Sequence, residues 1–151
     1  MNPNTPIRDI MTTNLVSVRP DDEAARIRVI FEKNDFHHLP VVEPGERLVG
    51  IISKADYLKI VYVLSFQNKC KKGIDNTCPT ICAADFMTKC PMQLEPDDTI
   101  GLAADIFLAN KFHALPVVED ERLVGIVTTH DLLKYSFTAV MEPLEEEVYV
   151  E

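Results

Sequence analysis

No apolar run in this 151-residue chain reaches the ~18–20 residues that a membrane-spanning helix needs. A transmembrane helix is therefore not expected. The opening MNPNTPIRDI lacks a basic start followed by an apolar stretch, so no secretory signal is visible and a cytoplasmic protein is predicted. Positive charge is scarce: 15 Lys and Arg stand against 24 Asp and Glu, a formal net charge of −9. Polyphosphate backbones need a surplus of basic residues, which argues against nucleic acid as a general partner. The shortage is uneven. Residues 1–75 carry 11 basic against 10 acidic side chains, and residues 76–151 carry 4 against 14. Part of the excess, Glu142, Glu145, Glu146, Glu147 and Glu151, reads as a solvated acidic tail. An anionic ligand must then be held by local groups rather than by the overall field.

Catalytic signatures are missing too. The chain has no glycine-rich phosphate loop, no His-Glu-x-x-His and no Gly-x-Ser-x-Gly. A non-enzymatic protein without metal or cofactor is the expectation. Four cysteines occur, Cys70, Cys78, Cys82 and Cys90. Cys78 and Cys82 have a permitted zinc-ligand spacing, but the gaps to Cys70 and Cys90 match no zinc motif, so reduced thiols are expected rather than a metal or redox centre.

What the chain does have is a repeat. Asp9-Ile-Met-Thr12 returns as Asp85-Phe-Met-Thr88, and Pro20-Asp-Asp22 as Pro96-Asp-Asp98. Phe36-His-His-Leu-Pro-Val-Val-Glu43 returns as Phe112-His-Ala-Leu-Pro-Val-Val-Glu119, and Glu46-Arg-Leu-Val-Gly-Ile51 as Glu121-Arg-Leu-Val-Gly-Ile126. Aligning Asp9–Lys59 with Asp85–Lys134, with Gly45 unmatched, gives 25 identities in 50 positions. Chance does not produce this, so both halves share one fold. The boundaries read as a first unit at 7–64, a connector at 65–81, a second unit at 82–141 and the acidic tail at 142–151.

Each unit reads as βαββα. In the first, Leu15–Val18 is a short β segment. Pro20-Asp-Asp22 then opens a helix capped by Asp21, with Ala24, Ile27, Ile30 and Phe31 at helical spacing and Asn34 as C-cap. Leu39–Glu43 and Leu48–Ser53 are continuously apolar strands around a Pro44-Gly45 turn, as expected for strands buried on both faces. A second helix starts near Lys54. The second unit repeats this with β structure near Met92–Leu94, a helix over Thr99–Asn110, strands at Leu115–Glu119 and Leu123–Thr128, and a helix from Thr129. One unit alone has too little core, so the two should pack sheet to sheet about a pseudo-twofold axis. The helices at 54–66 and 129–141 are apolar on too many faces for a single buried stripe, which points to a homodimer through them.

The ordered set Met-Thr, Pro-Asp-Asp, His-x-Leu-Pro-Val-Val, Leu-Val-Gly-Ile and Ser/Thr-x-x-Asp, seen twice, resembles the CBS domain, and the tandem resembles a Bateman module. The likeness covers residues 7–135 apart from the connector. It implies an α/β (α+β) fold of two βαββα units, dimerisation, and a regulatory role. It further implies adenosine ligands such as AMP, ADP, ATP or S-adenosylmethionine bound in clefts between the units. The effector protein such a module would regulate is not identified by the sequence.

Two patterns carry the expected chemistry. Ser53-Lys-Ala-Asp56 and Thr128-Thr-His-Asp131 each sit where a buried strand ends and a helix begins. An Asp carboxylate can accept hydrogen bonds from ribose hydroxyls, while a Ser or Thr hydroxyl and helix N-terminal N–H groups can donate to phosphate. The same pattern resembles a helix capping box with Asp in place of Glu, and one residue can both cap and bind. The resemblance places Asn14, Val16, Phe36 and His37 with Ile126, Thr128 and Asp131 in one cleft. It places Cys90, Met92, Phe112 and His113 with Ile51, Ser53 and Asp56 in the other. Val16 and Met92 would meet the base, and His37, His38 and His113 the phosphates. The second histidine position holds His38 in one unit and Ala114 in the other, so the clefts are unequal. Lys54, Lys59, His130 and Lys134 are candidates to supply further positive charge. For the histidines, half-buried packing is the other reading. For the whole chain, the other reading is a ligand-free interaction module.

Overall fold

The structure is a computed structural model, and residues 2–70 and 80–141 are described here. Most of the connector, Cys78 and the acidic tail lie outside the described residues, as do the side chains of Leu64, of 66–70 and of 139–141. In chain order the elements are a 3-10 turn at Ile7–Asp9, α1 Ala24–Lys33, β1 His38–Glu43, β2 Arg47–Ser53 and α2 Lys54–Cys70. Then follow α3 Ala83–Phe86, β3 Thr88–Lys89, α4 Ile100–Ala109, β4 Ala114–Glu119, β5 Arg122–Thr128 and α5 Thr129–Met141. The two units are mixed α/β as expected. The helix α2 runs to Cys70, six residues into the stretch read as connector.

Each unit is built on an antiparallel hairpin. β1 pairs with β2 through Pro40↔Ile51, and β4 with β5 through Pro116↔Ile126. Both hairpins carry a bulge at the same place, Val41/Val42 and Val117/Val118, so the repeat is preserved to the level of register. The turn Pro44-Gly45 forms, with Gly45 at φ 83, a left-handed conformation glycine adopts without steric cost. Around the hairpins lie two cores. One is centred on Val18, Ile27, Phe31, Leu39, Val41 and Ile52, the other on Ile7, Leu94, Ile100, Leu115, Val117 and Val127.

The opening β segments differ from expectation. Leu15–Val18 and Met92–Leu94 form no strand; each makes one parallel bridge, Val18↔Val41 and Leu94↔Val117. The Val18 N–H donates to the Pro40 carbonyl (3.0 Å), and the Val42 N–H to the Val18 carbonyl (2.9 Å). The helix start also differs. α1 begins at Ala24 with Glu23, not Asp21, at its N-cap, and no side chain caps it. The Asp22 carboxylate instead accepts from the Arg19 N–H at 2.7 Å. The helix end is satisfied from elsewhere in the chain: the Ala24 N–H donates to the Ile81 carbonyl at 2.8 Å. In α4 the N-cap is Thr99, whose hydroxyl accepts from Leu102 at 3.2 Å. Asn34 does cap α1, in an extended rather than left-handed conformation, with its side-chain amide on the Ile30 carbonyl.

These contacts expose an exchange between the repeats. The segment that opens each unit packs on the other unit. Ile7, Ile10 and Met11 join the core of the second repeat, while Ala83, Phe86 and Met87 join that of the first. β3 adds to the sheet of β1 and β2 through Thr88↔Ile51, and Thr12 bridges Ile126 in the same antiparallel sense. The recurring Met-Thr and Leu-Val-Gly-Ile motifs are therefore one contact seen twice: Met11 lies on Gly125, and Met87 on Gly50. A Cβ on Gly125 would come to 2.5 Å from the Met11 sulfur and 3.2 Å from the Thr12 carbonyl. Gly125→Ala is expected to cost roughly 1–3 kcal/mol through this overpacking. A Met11→Ala background should relieve part of the cost, which urea unfolding of the four proteins in the cycle would measure.

Candidate functional site

The exchange leaves a space between the two sheets. Along β1 and β2 the residues facing it are His38, Pro40, Ile51 and Ser53; along β4 and β5 they include Ala114, Ile126 and Thr128. The segments after Thr12 and Thr88 run into the same space. The result is one continuous cavity of about 1310 Å³. A site for one small molecule usually has roughly 300–1,000 Å³, so there is room for two.

All of the residues expected to bind ligand line this cavity: Asn14, Val16, Phe36, His37, His38, Ile51, Ser53, Asp56, Met92, Phe112, His113, Ile126, Thr128 and Asp131. The crosswise pairing has a backbone basis. The Thr12 N–H donates to the Ile126 carbonyl at 2.9 Å and the Ile126 N–H to Thr12 at 3.0 Å, while Thr88 pairs with Ile51. Of the candidate charges, Lys54 and His130 line the cavity, but Lys59 and Lys134 do not. Sequence reasoning missed Asp35 and Lys111, which also line it. Their signal was available: they occupy the same repeat position, directly before Phe-His, with opposite charge.

The two acidic turns are true caps as well as candidate ligand groups. At the start of α5 the Thr128 N–H and hydroxyl both donate to Asp131 Oδ2 at 2.8 Å, and the Asp131 N–H returns to Thr128 Oγ1 at 3.2 Å. At α2, the Ser53 hydroxyl donates to Asp56 Oδ2 at 2.7 Å and the Asp56 N–H to Ser53 Oγ at 3.0 Å. These bonds aim the carboxylates and leave Oδ1 of Asp131 without a protein donor among the described residues. Oδ1 of Asp56 instead meets Lys59 Nζ at 3.4 Å.

Val16 and Met92 present partly exposed apolar surface to the cavity, suited to a base. Phe36 is fixed from behind by an edge contact with Phe31, ring centroids 6.2 Å apart. Cys90, the counterpart of Asn14, lines the cavity with φ 47. Cys82 caps α3 in a box with Asp85. Among the described residues no three His, Cys, Asp or Glu are grouped to hold a metal ion.

Burial pushes the His38 imidazole below its usual value of 6.5; the charges of His113 and His37 act in the same direction, and Asp56 opposes them. Folding therefore favours neutral His38. The unfolded chain binds more protons as pH falls below about 6.5, so this contribution to stability is complete above that pH and is lost on acidification. His38→Ala, which installs the residue found at Ala114, is expected to flatten the dependence. Unfolding midpoints between pH 8 and 5 would show it.

Comparison with known proteins agrees with this architecture. The CBS domain family matches residues 7–63 and again 83–138. The uncharacterized protein MJ1225 of Methanocaldococcus jannaschii is 30% identical over 133 residues, covering 87% of this chain and 47% of its own; the chain thus spans about half of that relative. Among solved structures, CBSX2 of Arabidopsis thaliana in complex with AMP superposes with a TM-score of 0.74 at 25% identity, over 89% of this chain and 98% of that one. The CBS domain pair of MJ0100, in complex with 5'-methylthioadenosine and S-adenosyl-L-methionine, gives 0.74 at 25% identity, over 91% and 99%. No described helix is long and apolar enough to cross a membrane. With one family matching both repeats, and the same pair fold recurring in solved relatives, this chain belongs to the CBS domain family as a tandem pair.

Proposed function

We propose that the chain is a cytoplasmic regulatory sensor, not an enzyme, that binds AMP, ADP, ATP or S-adenosylmethionine between its repeats and modulates a partner protein. The cavity carries this reading. It presents two Ser/Thr-x-x-Asp turns for ribose, apolar surface at Val16 and Met92 for the base, and His37, His38 and His113 for phosphate. The adenosine ligands held by CBSX2 and the MJ0100 pair support the same ligand class. Binding would favour one arrangement of the two repeats through its higher affinity for that arrangement. The exposed side chains of Leu58, Tyr62, Val63, Leu133 and Phe137 on α2 and α5 support a homodimer formed through those helices.

A thermal-shift panel with AMP, ADP, ATP and S-adenosylmethionine, with GTP as control, tests the sensor. A ligand specific to the folded state at a hundredfold excess over its Kd adds about 2.7 kcal/mol of stability. A selective adenosine response is expected. A flat response to every compound, with a stable protein partner recovered instead, would establish the other reading, a ligand-free interaction module built on the same apolar helices.

A further inference from the structure

The two repeats finish their outer helices differently. Aligned through the repeat, α1 and α4 match residue for residue, from Ala24 with Ile100 to Lys33 with Ala109. Three exposed positions of α1 carry Arg26, Glu32 and Lys33; the same positions of α4, also exposed, carry Leu102, Leu108 and Ala109. Leu108 is 86% exposed and Leu102 42%. Leu102, Ile106 and Ala109 fall at i, i+4 and i+7, one stripe of the helix, and Ile106 is only partly buried. The fold itself does not require leucine there, because the matching positions in the first repeat are charged.

The apolar surface continues onto the neighbouring helix. α4 packs beside α5, where Ile106 and Phe107 share a core with Leu132 and Tyr135; α1 packs beside α2 through Phe31 and Tyr57. α5 exposes Leu133 and Phe137, and α2 exposes the equivalent Leu58 and Tyr62. The second repeat thus presents two adjoining apolar helices. The first presents one apolar helix beside a charged one, whose Arg26 is bonded to Asp22 and whose Arg28 is bonded to Glu32. A two-fold dimer through these helices can close in two ways. Each repeat meets its own copy, or each meets the other repeat. In the crossed arrangement Leu102 and Leu108 lie over the charged face of α1. Its two arginines and Lys33 then lose water against hydrocarbon, and Asp105 is the one charge α4 has to answer them. In the like-to-like arrangement leucine meets leucine, and α1, which carries both signs, meets a copy of itself.

We propose that the α4–α5 face is covered by the same face of a second copy, so that the dimer joins second repeat to second repeat and first to first. This rests on the homodimer reading above and adds its orientation. Cross-linking tests it in a chain whose Cys70, Cys78, Cys82 and Cys90 are replaced by Ser. Asp105→Cys puts one thiol on the exposed side of α4, and Val29→Cys puts one at the same repeat position of α1; both native side chains are exposed. A short bismaleimide joins thiols that face each other across the dimer. The expected result is a covalent dimer from Asp105→Cys alone. A covalent dimer formed only by the chain carrying both changes would establish the crossed arrangement and overturn the inference, with the homodimer left standing. A dimer by light scattering that links in none of these variants would place the contact elsewhere and overturn it too. Leu102→Arg with Leu108→Glu, which copies the α1 residues onto α4, should weaken dimerisation about a hundredfold in analytical ultracentrifugation. Both positions are exposed, so the pair spares the core. An undiminished dimer would take α4 out of the contact and overturn the inference. A monomer in the unaltered chain would overturn the homodimer reading and this inference with it.

Discussion

Replacing Phe31 by Ala is expected to lower the unfolding free energy by about 3–5 kcal/mol, a large share of the ~5–15 kcal/mol typical of small domains. Phe31 is 2% exposed and is the largest fully buried side chain among the described residues. It touches Tyr57 with ring centroids 5.7 Å apart as well as Phe36. Losing it removes the transfer energy of a benzyl group and leaves a void in the first core. Its repeat counterpart Phe107 is only partly buried, so Phe107→Ala should cost distinctly less. Denaturant unfolding of both variants measures the difference. Equal costs would mean that the two cores share the load evenly, contrary to their burial. Phe31 also backs Phe36 at the cavity, so its removal should weaken ligand binding as well as folding.

Removing both carboxylates, Asp56→Ala with Asp131→Ala, is expected to abolish the ligand-dependent rise in melting temperature. Each Asp would accept charged hydrogen bonds from ribose hydroxyls, worth roughly 1.5–3 kcal/mol apiece. The full stabilisation at a hundredfold excess is about 2.7 kcal/mol, so loss of both anchors leaves little of it. Each Asp also helps cap α2 or α5, and the unliganded protein should lose about 1 kcal/mol per cap. The two effects separate cleanly. The midpoint without ligand reads the caps, and the ligand-induced increment reads binding. An undiminished increment in the double variant would remove both residues from ribose recognition.

Much of the fold was legible because the hairpins write themselves twice. Leu-Pro-Val-Val-Glu and Leu-Val-Gly-Ile are short, apolar and bounded by turns, and their observed strands extend the expected ranges by one residue at an end. The capping turns at Ser53 and Thr128 follow local side-chain chemistry and were legible for the same reason. What escaped notice depends on distant partners. Asp21 looks like a cap, but the first N–H of α1 is satisfied by the Ile81 carbonyl. Leu15–Val18 looks like a strand, but the first repeat's sheet takes β3 of the second repeat as its third strand, and Val18 keeps a single bridge. The cavity residues were found through a motif known to recur. Asp35 and Lys111 lie outside that motif, and their reversal of charge at one repeat position gains meaning only because the packed repeats bring both to the same cavity.

The traded opening segments bear on how such a chain could have arisen. Neither repeat is a complete object: each hairpin core lacks its Met-Thr stretch unless another copy supplies it. A single βαββα peptide would meet that need by reciprocal domain swapping with a second copy of itself, a low-cost route to a dimer. The tandem chain has the geometry of such a swapped dimer after gene duplication and fusion. Once both copies lie on one chain, their walls need no longer be identical, and a single-residue change alters one side of the cavity without touching the other.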